Sequence, residues 1–582
     1  MKSFRLFLLL AAGTVSALAA DKNFDAWAEN FSADWVRSNP TFSTLQQYLP
    51  AREQDALDRQ LTPITKESRA KRVALAKAAL AALAKFDRSQ FDATQCISAA
   101  TIEWSLNGVV ASEPFSDYSF IFNQFQGLHV NIVNYLSQSH PIRNKRDVEN
   151  YLARLALVAG QIDEGVKQAT DAATRGFLMP DFITQSTLGQ FERFLADAPA
   201  QNRFVASLDE RAAKLKDVTA EERAKFVAEA EQITTAQIIP AFQRAQAMLQ
   251  AQLPKTTDHA GLCWLPGGDA AYANALRRNT TTDLTAAQIH ELGLQEVARI
   301  EKEMDGYFRQ LGYPTGTIEQ RFQKLELDQQ PKETDPRPAM LARFESILRD
   351  AQERSKLVFD ITPKAPVVVK REPPFTEKTA AAHYTGPAKD GSRPGIFWAP
   401  LPGPFEIATM RTLVYHEGVP GHHFQIALQR ETDSLPRYRR DGVFGGGSAF
   451  AEGWALYAEQ IAAESGWYDG DIVGHLGQLY DELFRARRLV VDTGLHAMKW
   501  TRQQAIDFGI KASEVERYVV NPGQACAYKI GMLKILELRA KAQQALGPKF
   551  EIKKFHNLVL QTGNVPLAVL GQAVDNWLAT TK

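Results

Sequence analysis

The sequence predicts a mainly α-helical fold, in which a large helical body carries a small antiparallel β-sheet next to a helix rich in histidine. Long stretches are rich in Ala, Leu, Gln, Glu, Lys and Arg and repeat their apolar residues at helical spacing. Short β-type runs, separated by Pro, Gly and Asp, cluster between about residues 365 and 400. The chain has 582 residues, of which 45% are hydrophobic, so it has ample material for large cores.

Charge and cysteine content exclude several classes of protein. The 67 Lys and Arg residues balance the 67 Asp and Glu residues, whereas a nucleic-acid-binding protein usually has a basic excess. The three cysteines, Cys96, Cys263 and Cys526, lie far apart and form no C-x-x-C motif. This pattern predicts neither a disulfide framework nor a thiolate metal site. Any bound metal would therefore have histidine and carboxylate ligands.

The first 19 residues have the features of a signal peptide. Lys2 and Arg5 precede an apolar run over residues 6–12, and Ala17-Leu18-Ala19 matches a cleavage signal. We therefore expect a periplasmic or secreted protein. No cysteine follows the apolar run, so we expect no lipid-modified N-terminus. No later apolar run reaches the length of about 18 residues that a membrane span requires, so we expect none.

An N-terminal helical region is predicted over residues 20–258. Helical spacing is clear over residues 66–85 and 219–239. The second helix opens with Thr219 followed by Glu222, a capping-box pattern, and Pro240 should end or kink it. Pro254 and the Pro-Gly-Gly sequence at 266–268 then mark a subdomain boundary.

The second region, residues 259–582, begins with a capping stretch at 282–285 ahead of a helix over 286–311. Strands are predicted at 367–369, 381–384 and 395–398, each bounded by turn residues. Helices are expected to return after Pro404 and to continue to the end of the chain.

The motif with the clearest chemistry is His416-Glu417-Gly-Val-Pro420-Gly-His422-His423. In the short zincin motif, two histidines four residues apart bind zinc, and a glutamate next to the first acts as general base. Here Pro420 prevents an unbroken helix, because it lacks an N–H and its ring collides with the carbonyl of residue 416. A bulge of two residues would bring His422 to the usual position of the second ligand. An unbroken helix would instead favour His423, about 20° from the face of His416.

A second helix offers the remaining ligand. Glu452 and Glu459 lie seven residues apart, hence on one helical face, among apolar and aromatic residues. A buried carboxylate needs a partner, and zinc bound by two histidines and Glu452 would keep a fourth position open for water. Glu459 would then orient a ligand histidine. The alternative is an amphipathic helix with both glutamates in solvent.

These two blocks resemble the bacterial domain-of-unknown-function family 885 (DUF885). Residues 265–268, 289–293, 390–395 and 521–524 carry the same resemblance, which covers nearly the whole mature chain. That family is similar to helical zinc metallopeptidases of the carboxypeptidase Taq and oligopeptidase type. Their motifs place glycine before the second histidine, which favours His422, although this sequence departs from them at the inserted Val419-Pro420. The resemblance implies a metallopeptidase-like helical fold but no particular substrate.

Further residues are candidates for roles beside the metal. Arg488, Asp492 and His496 follow one another at four-residue steps on one helix, preceded by Arg485. This stripe could bind a peptide carboxylate or an oxyanion through His496, as a catalytic residue, and an arginine, with Asp492 supporting the site from behind its ligands. It could instead be a structural ion-pair network. Tyr528 is a candidate to stabilise the tetrahedral intermediate, by analogy with the families above. His383 and Tyr384, on a predicted strand, are candidates to bind the substrate.

The sequence therefore predicts an exported zinc metallopeptidase for short peptides, with one Zn²⁺ per chain held by His416, His422 and Glu452. Zinc would polarise the scissile carbonyl, and Glu417 would transfer the proton of the attacking water to the leaving amine. A zinc hydrolase for a non-peptide amide or ester, and a binding protein with a degenerate metal site, are the alternatives. Manganese or cobalt in place of zinc, exo- or endopeptidase activity, and the oligomeric state stay open.

Overall fold

The fold was analysed in a computed structural model, which describes residues 23–373, 377, 380–389 and 391–581. The predicted signal peptide, residues 1–19, lies outside the described residues. Within them, no helix is both long and apolar enough to cross a membrane.

The part of the chain before residue 260 is helical throughout. Its helices are α1 Phe24–Arg37, α2 Pro40–Gln46, α3 Ala51–Asp58, α4 Lys66–Leu83, α5 Ala93–Ser112, α6 Leu128–Asn134, α7 Lys145–Leu155, α8 Val158–Thr174, α9 Asp181–Ala196, α10 Arg203–Ala212, α11 Ala220–Ile233 and α12 Ile239–Gln252. The capping box predicted at Thr219 and Glu222 starts α11, and Pro240 lies in the first turn of α12 after a π turn. In that first turn a missing N–H costs little, so proline is tolerated there.

The second part continues with helices on both sides of the sheet. They are α13 Gly268–Thr280, α14 Ala286–Gln310, α15 Ile318–Asp328, α16 Arg337–Ser355, α17 Met410–Leu413, α18 His422–Glu431, α19 Arg437–Arg440, α20 Gly447–Glu464, α21 Ile472–Ala497, α22 Arg502–Asp507, α23 Ala512–Val520, α24 Ala527–Leu546, α25 Ile552–Thr562 and α26 Leu567–Thr581. The prediction of a mainly α-helical fold is confirmed.

The small sheet lies where the sequence predicts it but has a different topology. Its strands are β1 Val367–Arg371, β2 His383–Thr385 and β3 Gly395–Ala399, in the order β1-β3-β2. β2 pairs antiparallel with β3, whereas β1 pairs parallel with it, so the sheet is mixed rather than antiparallel. The period-2 pattern predicts strand positions, but the path of the connection between strands decides their direction.

The hydrophobic cores cross the predicted boundary at residues 258/259. One core joins α7–α12 with Val491 and Leu495 of α21 and with Ala505 and Val515. Another joins α1 and α5 with Phe444. The two regions are therefore packed together through shared apolar surface, to which hydrogen bonds such as that from Arg439 to the Ser98 hydroxyl add.

Two contacts between helices position the candidate site. α21 is buried over nearly its whole second half and packs against α14. α20 crosses α24 at Gly453 and Gly531, where a Cβ atom on Gly453 would lie 2.5 Å from the Gly531 Cα. Only glycine permits this close approach of two backbones.

Candidate metal centre

The histidine motif forms a helix, a break and a second helix. After α17, residues Val414–Gly418 form a single π turn, closed by a hydrogen bond from the Val419 N–H to the Val414 carbonyl at 3.1 Å. The chain then turns extended at Val419, as the proline after it requires, and α18 begins at His422. A Cβ on Gly421 would lie 1.9 Å from the His416 carbonyl oxygen, so the break also requires glycine. The predicted bulge is thus followed by a full interruption of the helix.

This break brings His422 next to His416. Their rings lie 4.9 Å apart, nearly perpendicular to each other. Glu452 on α20 reaches both: its Oε2 is 3.5 Å from the His416 Nε2 and 3.4 Å from the His422 Nε2. One ligand atom from each of the three residues lies within 4.8 Å of the others.

Residues around this cluster fix the orientation of His416. Its Nδ1–H donates to the Glu459 Oε1 at 2.7 Å, which turns the Nε2 toward Glu452. The fully buried Glu459 accepts a second hydrogen bond from the Thr412 hydroxyl at 2.6 Å. A carboxylate behind a ligand histidine fixes its tautomer and raises its basicity. Sequence analysis did not identify Thr412, although it lies one helical turn before His416.

The electrostatics of the cluster favour a cation. Burial alone would lower the pKa of His416, but Glu452 and Glu459 raise it to about 10. Burial alone would raise the pKa of Glu452, but the two histidines hold it well below its usual range. Two carboxylates around one imidazole thus stabilise a positive charge at this point, which a proton or a metal ion can supply.

Glu417 is buried beside the three residues. Burial raises the pKa of its carboxyl, and the negative charge of Glu452 raises it further, although His422 and His416 act in the opposite direction. A raised pKa makes the Glu417 carboxylate a stronger base than an exposed glutamate.

His423, the alternative second ligand, lies outside the cluster. Its ring points to the sheet, where Nδ1 and the Tyr384 hydroxyl are 2.8 Å apart. Burial lowers the pKa of His423 to about 4, so it is neutral there. The Tyr384 hydroxyl is therefore hydrogen-bonded to His423 rather than free to bind a substrate, as the sequence had suggested. His383 is exposed on the edge strand β2, close enough to Glu417 to interact with it electrostatically.

The structure separates two predicted site residues from the cluster. On α21, Asp481 is close enough to His416 for their charges to interact. His496 lies 15 residues further along this helix, which is about 22 Å. Backbone groups use both ring nitrogens of His496: the Leu262 N–H donates to Nδ1 at 3.1 Å, and Nε2–H donates to the Tyr518 carbonyl at 3.0 Å. The predicted catalytic role of His496 is therefore corrected to a structural one.

Asp492 requires the same correction. It accepts hydrogen bonds from the Tyr272 hydroxyl at 2.6 Å and from the Gly523 N–H at 2.9 Å, and it does not contact a ligand histidine. Burial raises its pKa to about 7. Four-residue spacing places Asp492 on one face of α21, but a long helix carries that face past several neighbours.

Arg488 and Tyr528 lie together near the middle of α21. The Arg488 guanidinium carbon is 4.5 Å from the centre of the Tyr528 ring. Arg488 also donates to the Tyr518 hydroxyl and to Glu514, each at 2.9 Å. Tyr528 lies three residues before Gly531, the point where α24 crosses the helix of Glu452. Arg488 and Tyr528 thus lie where α21, α23 and α24 pack together.

The donor set fits a zinc ion. Two imidazole nitrogens and one carboxylate oxygen form the ligand set of catalytic zinc sites, which keep one position for water. His416 has the required carboxylate partner in Glu459. The Trp454 indole N–H donates to the Pro420 carbonyl at 2.9 Å, which holds α20 against the break that carries His422.

Comparisons with known proteins support a family but no activity. The family model described as a bacterial protein of unknown function, DUF885, matches residues 40–574. No curated protein matches the chain.

Two solved structures have the same fold. A crystal structure of a candidate lipoprotein from Colwellia psychrerythraea has a TM-score of 0.86 and 30% sequence identity, and the match covers 95% of this chain and 100% of that one. A candidate lipoprotein of unknown function from Shewanella oneidensis has a TM-score of 0.70 and 19% identity, covering 94% and 99% of the two chains. The second likeness concerns the fold alone.

Proposed function

The chain belongs to the DUF885 family of bacterial proteins, whose function is unknown, and we propose that it is a zinc-dependent peptidase that hydrolyses short peptides. The observation that carries the proposal is the convergence of His416, His422 and Glu452 within 4.8 Å, with Glu417 buried beside them. A binding protein would need no buried carboxyl of raised pKa at this position.

His416, His422 and Glu452 would hold the metal. When bound there, zinc would supply a Lewis acid that polarises the scissile carbonyl and lowers the pKa of a water. The hydrogen bond from His416 to Glu459 keeps the His416 Nε2 free for coordination. Thr412 holds Glu459 in turn, so the ligand geometry is fixed before any substrate arrives.

Glu417 has the role of general base and then general acid. Its carboxylate takes a proton from the attacking water and gives that proton to the leaving amine, which balances the two halves of peptide hydrolysis. Its raised pKa favours this return of the proton. Tyr528 is the candidate donor to the oxyanion that forms on the carbonyl.

The shape around the cluster favours short substrates. The Glu452 and Asp481 side chains are only 22% and 16% exposed. A short extended peptide can approach such partly buried groups more closely than the surface of a folded protein can.

We further propose that the protein acts outside the cytoplasm, after removal of residues 1–19. The basic start, apolar run and small-residue cleavage signal support this location. The relatives of known structure are described as candidate lipoproteins. In this sequence the first cysteine is Cys96, far beyond the small-residue cleavage signal at residues 17–19.

The metal content of the wild type and of two variants tests the proposed ligands. We expect about one zinc per chain in the purified protein by elemental analysis, and loss of that zinc in His422→Ala. His423→Asn is the matched control, because the adjacent histidine contacts Tyr384 instead. Zinc lost in His423→Asn but kept in His422→Ala would reverse the ligand assignment. A chain that binds no metal even after zinc is added would overturn the proposal.

Activity of Glu417→Gln tests the proposed base. We expect hydrolysis of short peptides to fall by at least about 100-fold while zinc is retained, because glutamine cannot accept the proton. Full activity in Glu417→Gln would exclude Glu417 as the base. A panel of small amides and esters measured beside the peptides separates a peptidase from another zinc hydrolase.

A further inference from the structure

Arg485 has a pair of N–H groups with no protein partner. Its Nη1 is 2.9 Å from the Asp481 Oδ1 and 3.1 Å from the Asp481 carbonyl oxygen, both one turn earlier on α21. Among the residues that the structure describes, none accepts a hydrogen bond from its Nε or Nη2, and Nε is fully buried. An unpaired donor inside a protein is costly, so a ligand is the natural acceptor.

The unpaired groups have the geometry for one kind of ligand. Nε–H and Nη2–H lie on the same edge of the guanidinium plane and point in parallel. This edge matches the two oxygens of a carboxylate, which it binds with two charge-assisted hydrogen bonds. Asp481 holds the opposite corner of the guanidinium and thus fixes the direction of the free edge.

The surroundings leave a positive charge for an anion. Arg488 and Arg517 both donate to the same Glu514 oxygen, each at 2.9 Å. Within the described residues, the Arg488 Nη1 is buried and has no partner either. The negative charges of Asp481 and Glu459 stabilise the Arg485 cation, whereas the positive charge of Arg488 opposes it. The unpaired Arg488 Nη1 offers an anion a second donor near Arg485.

Arg485 lies near the residues that surround the metal cluster. It acts electrostatically on Glu459, which orients His416, and on Tyr528. The Arg485 side chain is 11% exposed, so it is partly accessible although its Nε is buried. Along α21 it lies one turn beyond Asp481, about 6 Å, on the way from the cluster to Arg488.

We propose that Arg485, assisted by Arg488, binds the C-terminal carboxylate of a short peptide substrate, so that the enzyme cleaves close to the C-terminus of peptides with a free carboxylate. This proposal rests on the peptidase function proposed above. Arg485 is a specificity-determining residue that contacts the substrate but not the scissile bond. An N-acylated peptide would bind as well as a free one, whereas a C-terminal amide would not.

Binding and hydrolysis of matched peptides test this proposal. The probes are acetyl-Ala-Ala-Ala with a free carboxylate, its C-terminal amide, and acetyl-Ala-Ala-Glu amide, whose only carboxylate is on a side chain. Calorimetry on Glu417→Gln measures binding without turnover. We expect the free acid to bind about 10- to 100-fold more tightly than either amide, the range for charge-assisted hydrogen bonds.

Variants assign this preference to Arg485. Adding Arg485→Ala to Glu417→Gln should reduce the preference for the free acid to about threefold or less. Arg485→Lys keeps the positive charge but loses the paired N–H groups, so it should give an intermediate preference. This second variant remains informative if the alanine variant does not fold. Arg244→Ala removes a surface arginine paired with Asp163 and should keep the full preference. The proposal would be overturned by equal binding of acid and amide, by no binding of the acid, or by tighter binding of the Glu amide. A preference that survives both Arg485 variants would overturn it as well.

Hydrolysis of the same probes by the chain with Glu417 intact separates the two proposals. If acid and amide are cleaved equally, the peptidase function stands and the carboxylate site is wrong. If neither is cleaved while the binding preference depends on Arg485, the carboxylate site stands and the peptidase function is wrong.

Discussion

At the scale of single residues, the two most informative histidines have opposite environments. His416 lies between two carboxylates, which raise its pKa to about 10. His496 is also buried but has only backbone partners, and burial lowers its pKa to about 4. The identity of the residue is the same in both cases. The charge of the neighbours decides whether the imidazole favours a cation or stays neutral.

His496 allows a prediction for the pH dependence of stability. The unfolded chain binds the His496 proton near pH 6.5, but the folded chain binds it only near pH 4. The contribution of the neutral ring is therefore complete above pH 6.5 and is lost as the pH falls toward 4. As the pH falls through this range, the free energy of unfolding should decrease less steeply in His496→Gln than in the wild type. The difference in slope should be up to about 1.4 kcal/mol per pH unit.

Urea unfolding of the wild type and of His496→Gln at several pH values measures this difference. The variant is expected to be less stable at pH 7 because it loses two hydrogen bonds to backbone groups, but to keep its zinc and its activity. Parallel pH curves would show that His496 is not held neutral. Lost activity in a folded, metal-loaded variant would restore the catalytic role that the sequence suggested.

At the scale of elements, the break between α17 and α18 shows what local sequence rules can predict. Pro420 excludes a continuous helix, so the sequence predicts distortion after His416. The structure adds that the helix ends and restarts at His422, with Gly421 filling a position where a Cβ would meet the His416 carbonyl oxygen at 1.9 Å. Which histidine then faces Glu452 depends on the contact of His423 with Tyr384, far away in sequence.

The crossing of α20 and α24 leads to a prediction about element packing. We expect Gly453→Ala to destabilise the protein by about 1–3 kcal/mol, because the added methyl group meets the Gly531 backbone. The displacement of α20 would also move Glu452, the preceding residue in the chain, and weaken zinc binding. Chemical unfolding and zinc titration measure the two effects.

Gly306→Ala in α14 is the matched control for this substitution. No atom lies within 4 Å of a Cβ added at Gly306, and this helical position is exposed. Alanine there should stabilise the protein by up to about 1 kcal/mol, as helix propensity predicts. A Gly453→Ala variant that resembles Gly306→Ala in stability and zinc affinity would contradict the importance of the crossing.

At the scale of the whole molecule, the candidate metal centre joins three separate helical elements within residues 416–452. His416 follows α17, His422 begins α18 and Glu452 lies on α20, while shared cores join both halves of the chain. A metal that binds only when these segments are assembled stabilises the folded state by mass action.

We therefore expect zinc to raise the free energy of unfolding, by about 2.7 kcal/mol when free zinc is 100 times its Kd. Removing zinc with a chelator should lower the melting temperature, and adding zinc should restore it. Glu452→Ala should be insensitive to both treatments. A chelator effect of equal size in Glu452→Ala would place the responsible metal elsewhere in the chain.

The sequence by itself determined the fold class, the positions of the strands and the residues of the histidine motif. These follow from local causes, such as apolar periodicity, capping boxes and the effect of proline on a helix. It also identified Glu452 and Glu459, because two glutamates on one apolar helical face need a partner. The sheet was predicted as antiparallel and is mixed, since strand direction depends on the connection between strands.

Only the tertiary structure decided which polar residues work together. The four-residue stripe of Arg488, Asp492 and His496 looks uniform in the sequence, yet the latter two are satisfied by Tyr272, Gly523 and backbone groups far from the cluster. Periodicity assigns a residue to one face of a helix, but the packing of the surrounding helices determines what that face contacts.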